Sequence, residues 1–99
     1  MKIVAVTACP TGIAHTYMAA EQLEKTAAAL GHEIKVETQG AMGIENQLTA
    51  DDIAGAQVAI FAADIEVEGK DRFDALTIVR APVQEAIRNP RRLFEKAGA

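Results

Sequence analysis

The chain alternates short, continuously apolar runs with longer stretches in which apolar residues recur every three or four positions. Three of the short runs are rich in β-branched residues: residues 3–6 (IVAV), 58–61 (VAIF) and 76–79 (LTIV). Such runs are typical of strands that are buried on both faces, as in a parallel sheet. They predict three strands of this kind.

Residues 33–38 (EIKVET) have a different pattern, because charged and apolar positions alternate there with a period of two. This alternation predicts a fourth strand with one face toward solvent. We interpret it as the edge strand of the sheet.

The stretch between the first predicted strand and residues 33–38 has the pattern of an amphipathic helix. Its apolar stripe consists of Ile13, Tyr17, Ala20, Leu23, Ala27 and Leu30. Gly31 predicts the end of this helix. A shorter helix is predicted from Thr49 to Gly55, a helical turn near residues 70–74, and further helix after Pro82 and Pro90.

Strands and helices that alternate in this way predict an α/β fold. We expect a three-layer, doubly wound (Rossmann-like) open sheet with helices on both faces. The 99 residues, 49% of them hydrophobic, suit one domain over residues 1–99. Right-handed crossovers place the loops that follow the strands along one edge, where ligands bind in such sheets.

Composition disfavours several classes of function. The net charge of −4 argues against nucleic acid as the main partner. The single cysteine has no disulfide partner and no zinc-ligand spacing, which favours a reducing, cytoplasmic setting. No apolar stretch approaches the ~18 residues of a membrane span, and a chain of this kind can still work beside a membrane protein. We predict no metal site and no cofactor.

Cys9 directly follows the first predicted strand and precedes Pro10-Thr11-Gly12, which are residues typical of a turn. We interpret it as a nucleophile in a turn that leads into a helix, where the backbone N–H groups of Thr11 to Ala14 are available to an anion. The loop would then hold a phosphate. The alternative, from residue type alone, is a small buried hydrophobic residue, since cysteine outside disulfides is among the most buried types.

Other polar side chains near the cysteine have two interpretations each. His15 is either a hydrogen-bond donor to a bound phosphoryl group or a solvent-facing residue of the first helical turn. Thr16 either adds a hydroxyl donor or caps the helix locally. Asp64 follows a buried strand, so it is expected at the same edge, where its carboxylate can hydrogen-bond the cysteine loop.

The spacing of Cys9 and His15 disfavours a thiol phosphatase. Tyrosine phosphatases have a cysteine followed, after five residues, by an arginine, and His15 occupies that arginine position. A guanidinium stays charged and binds two phosphate oxygens at once, which a histidine cannot match.

Residues 8–21 (ACPTGIAHTYMAAE) resemble the signature of fructose-type IIB components of the bacterial phosphoenolpyruvate-dependent sugar phosphotransferase system. The resemblance continues through residues 36–40 (VETQG), 51–53 (DDI), 63–64 (AD) and 72–73 (RF), so it covers most of the chain. It implies a sheet of about four parallel strands in the order 2-1-3-4.

The resemblance also implies a function. Cys9 would accept a phosphoryl group from a phosphohistidine of the IIA component and pass it to a sugar, by default fructose, held by the membrane component IIC. The phosphate-binding loop would comprise Pro10, Thr11, Gly12, Ile13, Ala14, His15 and Thr16. Gln39, Gly40 and Asp64 would support it. The chain would be a cytoplasmic transferase, associated with the membrane only through IIC. The alternatives are a regulatory module with this fold and, less favoured, a small thiol phosphatase.

Overall fold

The structure is a computed structural model that describes residues 1–9 and 13–99. Within these residues, the strands are β1 (Lys2–Ala8), β2 (Glu33–Gly40), β3 (Gly43–Glu45), β4 (Val58–Ala63) and β5 (Thr77–Ala81). The helices are α1 (Ile13–Leu30), α2 (Ala50–Ala54), α3 (Val83–Arg88) and α4 (Pro90–Lys96), and Lys70–Phe73 forms a 3-10 turn.

The strands form one sheet in the order β3-β2-β1-β4-β5. β1 pairs in parallel with β2 and β4, and β4 pairs in parallel with β5. The four parallel strands therefore follow the order 2-1-3-4, and the α/β class is confirmed. The sequence analysis missed β3, which pairs antiparallel with the end of β2.

β2 is the outer parallel strand on one side of the sheet, and β5 is the outer strand on the other side. β3 pairs with the end of β2, so β2 is an edge strand only over the rest of its length. The period-two pattern also predicts that the Glu37 side chain is exposed to solvent, and this is wrong. Glu33 is exposed as predicted, whereas the Glu37 side chain is fully buried. A buried carboxylate requires hydrogen-bonding partners, and these come from residues distant in the sequence.

Alternate residues of the central strands face two separate hydrophobic clusters, which is the expected result of the side-chain alternation in a strand. Ile3 and Ala5 of β1 pack toward α1, α3 and α4, with Leu23 and Phe94 among their neighbours. Val4 and Val6, with Phe61, Leu48 and Phe73, form the second cluster, against which Ile53 of α2 packs. The predicted three layers are confirmed.

The helix boundaries follow local signals in the sequence. α1 ends at Leu30 and is followed by Gly31 with φ +78°, as predicted. Thr49 and Asp52 form a reciprocal capping box at the start of α2. One residue of the predicted apolar stripe of α1 is misplaced: Tyr17 is 40% exposed, and its hydroxyl donates a hydrogen bond to Glu45 in β3.

Candidate functional site

Cys9 lies at the carboxyl edge of the sheet, directly after the last residue of β1. Its amide donates a hydrogen bond of 3.4 Å to the carbonyl oxygen of Gln39. The amide of Asp64 donates one of 3.0 Å to the carbonyl oxygen of Ala8. The ends of β1, β2 and β4 are thus joined around the cysteine, at the edge where the strand pattern predicted it.

The Cys9 side chain is buried, with 3% exposure, and belongs to the hydrophobic cluster beneath α1, together with Ala19 and Ala20. The burial expected from residue type alone is therefore present at Cys9. The cysteine occupies a position typical of a ligand site and also contributes to packing.

Only part of the predicted phosphate-binding loop can be placed. Pro10, Thr11 and Gly12 lie outside the described residues, and so do the contacts predicted for them. α1 begins at Ile13, and Ala14 and His15 are exposed in its first turn. Thr16 is buried, and its carbonyl oxygen accepts a hydrogen bond of 3.2 Å from the Thr7 hydroxyl.

Gly40 lies beside the second turn of α1. A Cβ atom added to Gly40 would be 3.4 Å from the Thr16 hydroxyl oxygen, which is an ordinary contact distance. The end of β2 and the start of α1 are therefore close neighbours, and both lie at the edge that contains Cys9.

Gln39 connects the end of β2 to the segment after β4. Its side-chain amide pairs with both main-chain groups of Glu68: Nε2 donates to the carbonyl oxygen at 3.1 Å, and Oε1 accepts from the amide at 2.9 Å. Nε2 also donates to the Glu37 carboxylate at 2.7 Å. The predicted supporting residue Gln39 is thus a buried connector, with 6% exposure.

Glu37, which is fully buried, and Arg72, whose side chain is 26% exposed, form a two-fold ion pair next to Gln39. The two terminal guanidinium nitrogens donate to separate carboxylate oxygens, each at 3.0 Å, and the amide of Leu48 donates to Oε1 at 2.8 Å. Burial acts to raise the pKa of Glu37, but the hydrogen bonds from Arg72, Leu48 and Gln39 outweigh it and hold that pKa below its usual value. The pair with Glu37 raises the pKa of Arg72.

The sequence pattern predicts neither a structural nor a functional role for Glu37 and Arg72. The two residues are 35 positions apart, and Glu37 falls on the alternate positions of β2 that were expected to face water. Nothing in the local pattern indicates the pairing. The one available signal was that both residues fall in the short segments on which the family resemblance was based.

Asp64 reaches the predicted edge, and among the described residues its carboxylate has a partner in α3. Oδ1 accepts a hydrogen bond of 3.2 Å from the amide of Val83, the first residue of α3. Asp64 therefore joins the end of β4 to the start of α3, and its main chain, not its carboxylate, bonds to the residue before Cys9.

Exposed apolar side chains surround this edge on three neighbouring elements. We refer to them as the apolar rim, which consists of Tyr17, Met42, Ile44 and Ile65. An open cleft of about 190 Å³ lies inside the rim and is lined in part by Gln39, Gly40, Ile44 and Ile65. Beside it, Glu45 raises the pKa of Tyr17 through their hydrogen bond.

Neither a membrane-spanning helix nor a metal-binding cluster is found in the part of the chain that the structure describes. None of the helices in that part of the chain is both long and apolar enough to cross a membrane. Residues 1–9 and 13–99 contain no group of three or more histidine, cysteine, aspartate or glutamate residues arranged to hold a metal ion.

Comparison with known proteins gives consistent matches over nearly the whole chain. Residues 4–96 match the family described as "PTS system, Lactose/Cellobiose specific IIB subunit". The chain is 51% identical over 98 residues to the PTS system fructose-like EIIB component 2 of Escherichia coli K12, covering 99% of this chain and 92% of that protein.

Two more matches involve longer proteins. The chain is 54% identical over 96 residues to the PTS system fructose-specific EIIABC component of Bacillus subtilis, covering 97% of this chain but 15% of that protein. A crystal structure of a domain from the fructose-specific IIABC component of Borrelia burgdorferi superimposes with a TM-score of 0.92 at 43% identity, covering 96% of this chain and 90% of that one.

Proposed function

The chain belongs to the IIB family of the sugar phosphotransferase system, and on this premise we propose that it is a phosphoryl relay in which Cys9 carries the phosphoryl group. The observation that carries the proposal is the position of Cys9, directly after β1 at the carboxyl edge and four residues before the start of α1. Ligands bind at this edge in doubly wound sheets.

The relay has two displacement steps at phosphorus. In the first, the Cys9 thiolate, which has given its proton to solvent, attacks the phosphorus of a phosphohistidine on the IIA component. The P–N bond breaks, its electron pair stays on the imidazole nitrogen, and an S–P bond forms. In the second, a sugar hydroxyl oxygen attacks, the S–P bond breaks and the thiolate leaves. The hydroxyl proton passes to a base at the acceptor site or to solvent.

Residues 10–16 are the proposed phosphate-binding loop. α1 is 18 residues long, and the first N–H groups of a helix point out of its end, so those of Ala14 and His15 suit phosphoryl oxygens. His15 is exposed in that turn and is proposed to assist with a hydrogen bond. It is not expected to be essential, because the main-chain donors remain without it.

The burial of Cys9 has a consequence for the relay. A side chain with 3% exposure is sheltered from water, which protects an S–P bond from hydrolysis before transfer. The same burial means that the sulfur must be uncovered for each transfer. We therefore propose that partner docking is coupled to an opening around Cys9.

The apolar rim is the proposed docking surface. Both the IIA donor and the IIC acceptor must bring a reacting atom to the same sulfur, so both must contact the surface around it in turn. Exposed apolar clusters on otherwise polar surfaces are typical of protein interfaces. The chain is proposed to work in the cytoplasm and to reach the membrane through IIC.

The sugar is proposed to be fructose or a fructose-like compound. The family description names lactose and cellobiose, but the relative that matches nearly end to end is named fructose-like, with 51% identity. Several relatives at about 50% identity are named for fructose and one is named for 2-O-alpha-mannosyl-D-glycerate, so fructose is proposed from the larger number of names.

One experiment separates the relay from its alternatives. The protein is mixed with a IIA component carrying radiolabelled phosphohistidine, and the label is followed on the protein, on added sugar in the presence of IIC, and as inorganic phosphate. A relay gives a transient phosphoprotein followed by sugar phosphate. Labelling without onward transfer indicates a regulatory module, and release of inorganic phosphate without sugar indicates a phosphatase.

A further inference from the structure

A set of polar contacts connects the cysteine edge to the opposite face of the sheet. Cys9 and Val36 of β2 both face the cluster beneath α1. Glu37, the residue after Val36, therefore points to the other face of the sheet. Glu37 meets Arg72 and the Leu48 amide there. We refer to Glu37, Gln39, Glu68 and Arg72 as the Glu37 network.

Gln39 is the member of this network that reaches Cys9. Its main-chain carbonyl oxygen accepts the hydrogen bond from the Cys9 amide, while its side chain bonds to Glu37 and to both main-chain groups of Glu68. The orientation of the strand end beside the cysteine is thus set by contacts on the opposite face of the sheet.

Arg72 holds the remaining groups of the network in place. Besides the two bonds to Glu37, its Nη2 donates to the Glu68 carbonyl oxygen at 3.1 Å, and its Nε donates to the Gly69 carbonyl oxygen at 2.8 Å. The Glu68 carbonyl oxygen thus accepts from both Gln39 and Arg72. The side chains of Glu37 and Gln39 are buried, so a displacement of either one leaves a buried polar group without its partner, and this part of the network is rigid.

We propose that Glu37 and Arg72 are positioning residues for phosphoryl transfer, acting on Cys9 through Gln39. The kinetic part of this inference rests on the proposed function, whereas the structural part does not. Buried ion pairs are often no more stabilising than apolar residues of the same size, so stability alone is a weak explanation for one here. This pair joins β2, Leu48 and the segment after β4, and it does so next to the strand end that bonds to the cysteine.

Two variants test the inference, with a matched control. Arg72→Lys keeps the positive charge but removes the two-pronged geometry, and Gln39→Leu removes the side-chain amide while leaving the ion pair in place. The control is Lys35→Met, which breaks another ion pair of β2, the 2.7 Å contact between Lys35 and Asp52, in the half of the strand away from Cys9.

The first measurement is the NMR resonance of the Cys9 amide, which needs no partner protein. Both test variants should shift it more than Lys35→Met does. The second is the rate of phosphorylation by labelled IIA, where kcat should fall roughly 10- to 100-fold with little change in KM, as expected when reacting groups are misplaced. Because Gln39 lines the cleft inside the apolar rim and the Arg72 side chain is 26% exposed, the two constants are compared: a lost docking contact raises KM, whereas misplacement of the cysteine lowers kcat.

The possible results distinguish a failure of this inference from a failure of the proposed function. If folded Arg72→Lys has the Cys9 resonance and the kcat of the control, the inference is overturned. If Arg72→Lys does not fold, Gln39→Leu decides by the same two measurements. If wild-type protein is never phosphorylated, the proposed function fails, and the Cys9 resonance still shows whether the network positions the cysteine main chain.

Discussion

Cys9 and Gln39 lie at the ends of neighbouring parallel strands, and the Cys9 amide donates a hydrogen bond to the Gln39 carbonyl oxygen at 3.4 Å. This contact places the cysteine beside the start of α1 on one side and beside the Glu37 network on the other. The proposed phosphoryl transfer depends on this location of Cys9.

Accessibility of the thiol distinguishes a functional cysteine from a packing residue. With 3% exposure, Cys9 should react with a thiol reagent at least about 10-fold more slowly in the native protein than in urea. It should nevertheless react faster than global unfolding permits, because transfer requires a local opening. The measurement is the reaction rate against reagent concentration and urea. A native rate that equals the global-unfolding limit would indicate a cysteine that serves only packing.

Breaking the Glu37–Arg72 pair should be costly for stability. Arg72→Met leaves a buried carboxylate without its cation, and losing one partner of a buried pair typically costs about 3 kcal/mol or more. Urea unfolding followed by circular dichroism measures the change in the free energy of unfolding. Lys35→Met, which breaks a more exposed pair on the same strand, should cost less. Equal losses in the two variants would contradict the burial argument.

The same carboxylate should make stability depend on acid pH. The pKa of Glu37 is lowered in the folded protein, so its contribution is complete above the unfolded value of about 4.3 and is lost as the pH falls through the folded pKa. Asp52 acts in the same direction, because Lys35 and the Thr49 cap lower its pKa.

The test is therefore a difference between two proteins. Wild type should lose more of its unfolding free energy between about pH 5 and pH 2 than Glu37→Gln does, since the variant has no carboxylate to protonate there. Asp52 is the same in both proteins and cancels. Parallel pH profiles would show that Glu37 has the same pKa in the folded and unfolded states.

Two glycines with similar backbone angles should respond differently to alanine. Gly31 and Gly69 have φ values of +78° and +69°, so an alanine is strained by about 1 kcal/mol at either position. A Cβ atom at Gly69 would also lie 2.7 Å from Nε of Arg72, whereas no described atom lies within 4 Å of one at Gly31. Gly69→Ala should therefore lose more unfolding free energy than Gly31→Ala. Equal losses would mean that Arg72 can move without cost.

Much of the fold follows from patterns that are local in sequence. The apolar runs at residues 3–6, 58–61 and 76–79 all fall within or overlap strands, and the glycine after Leu30 ends α1. The third run was wrongly expected to be buried on both faces, because it overlaps β5, an edge strand in which Thr77 is exposed. β3 was missed because a three-residue strand is too short to have a detectable period, and all three of its residues are exposed.

The sequence predicts where Cys9 lies in the fold, but not the burial of the side chains around it or their hydrogen-bond partners. Residue order places Cys9 after β1, and this location required no knowledge of tertiary contacts. Its burial and the burial of Glu37 depend on what packs over the strands, which periodicity does not report. Arg72 is the clearest case, because a partner 35 positions away can be identified only once the chain is folded.

The account stands on Cys9 as the phosphoryl carrier, and the most direct test is labelling of Cys9→Ser by radiolabelled phospho-IIA. The substitution is nearly isosteric, so circular dichroism and urea unfolding should match wild type. We predict that wild type is labelled, that mass spectrometry places the phosphoryl group on the peptide containing Cys9, and that label on the folded variant falls to background. Undiminished labelling of Cys9→Ser would contradict the proposed function.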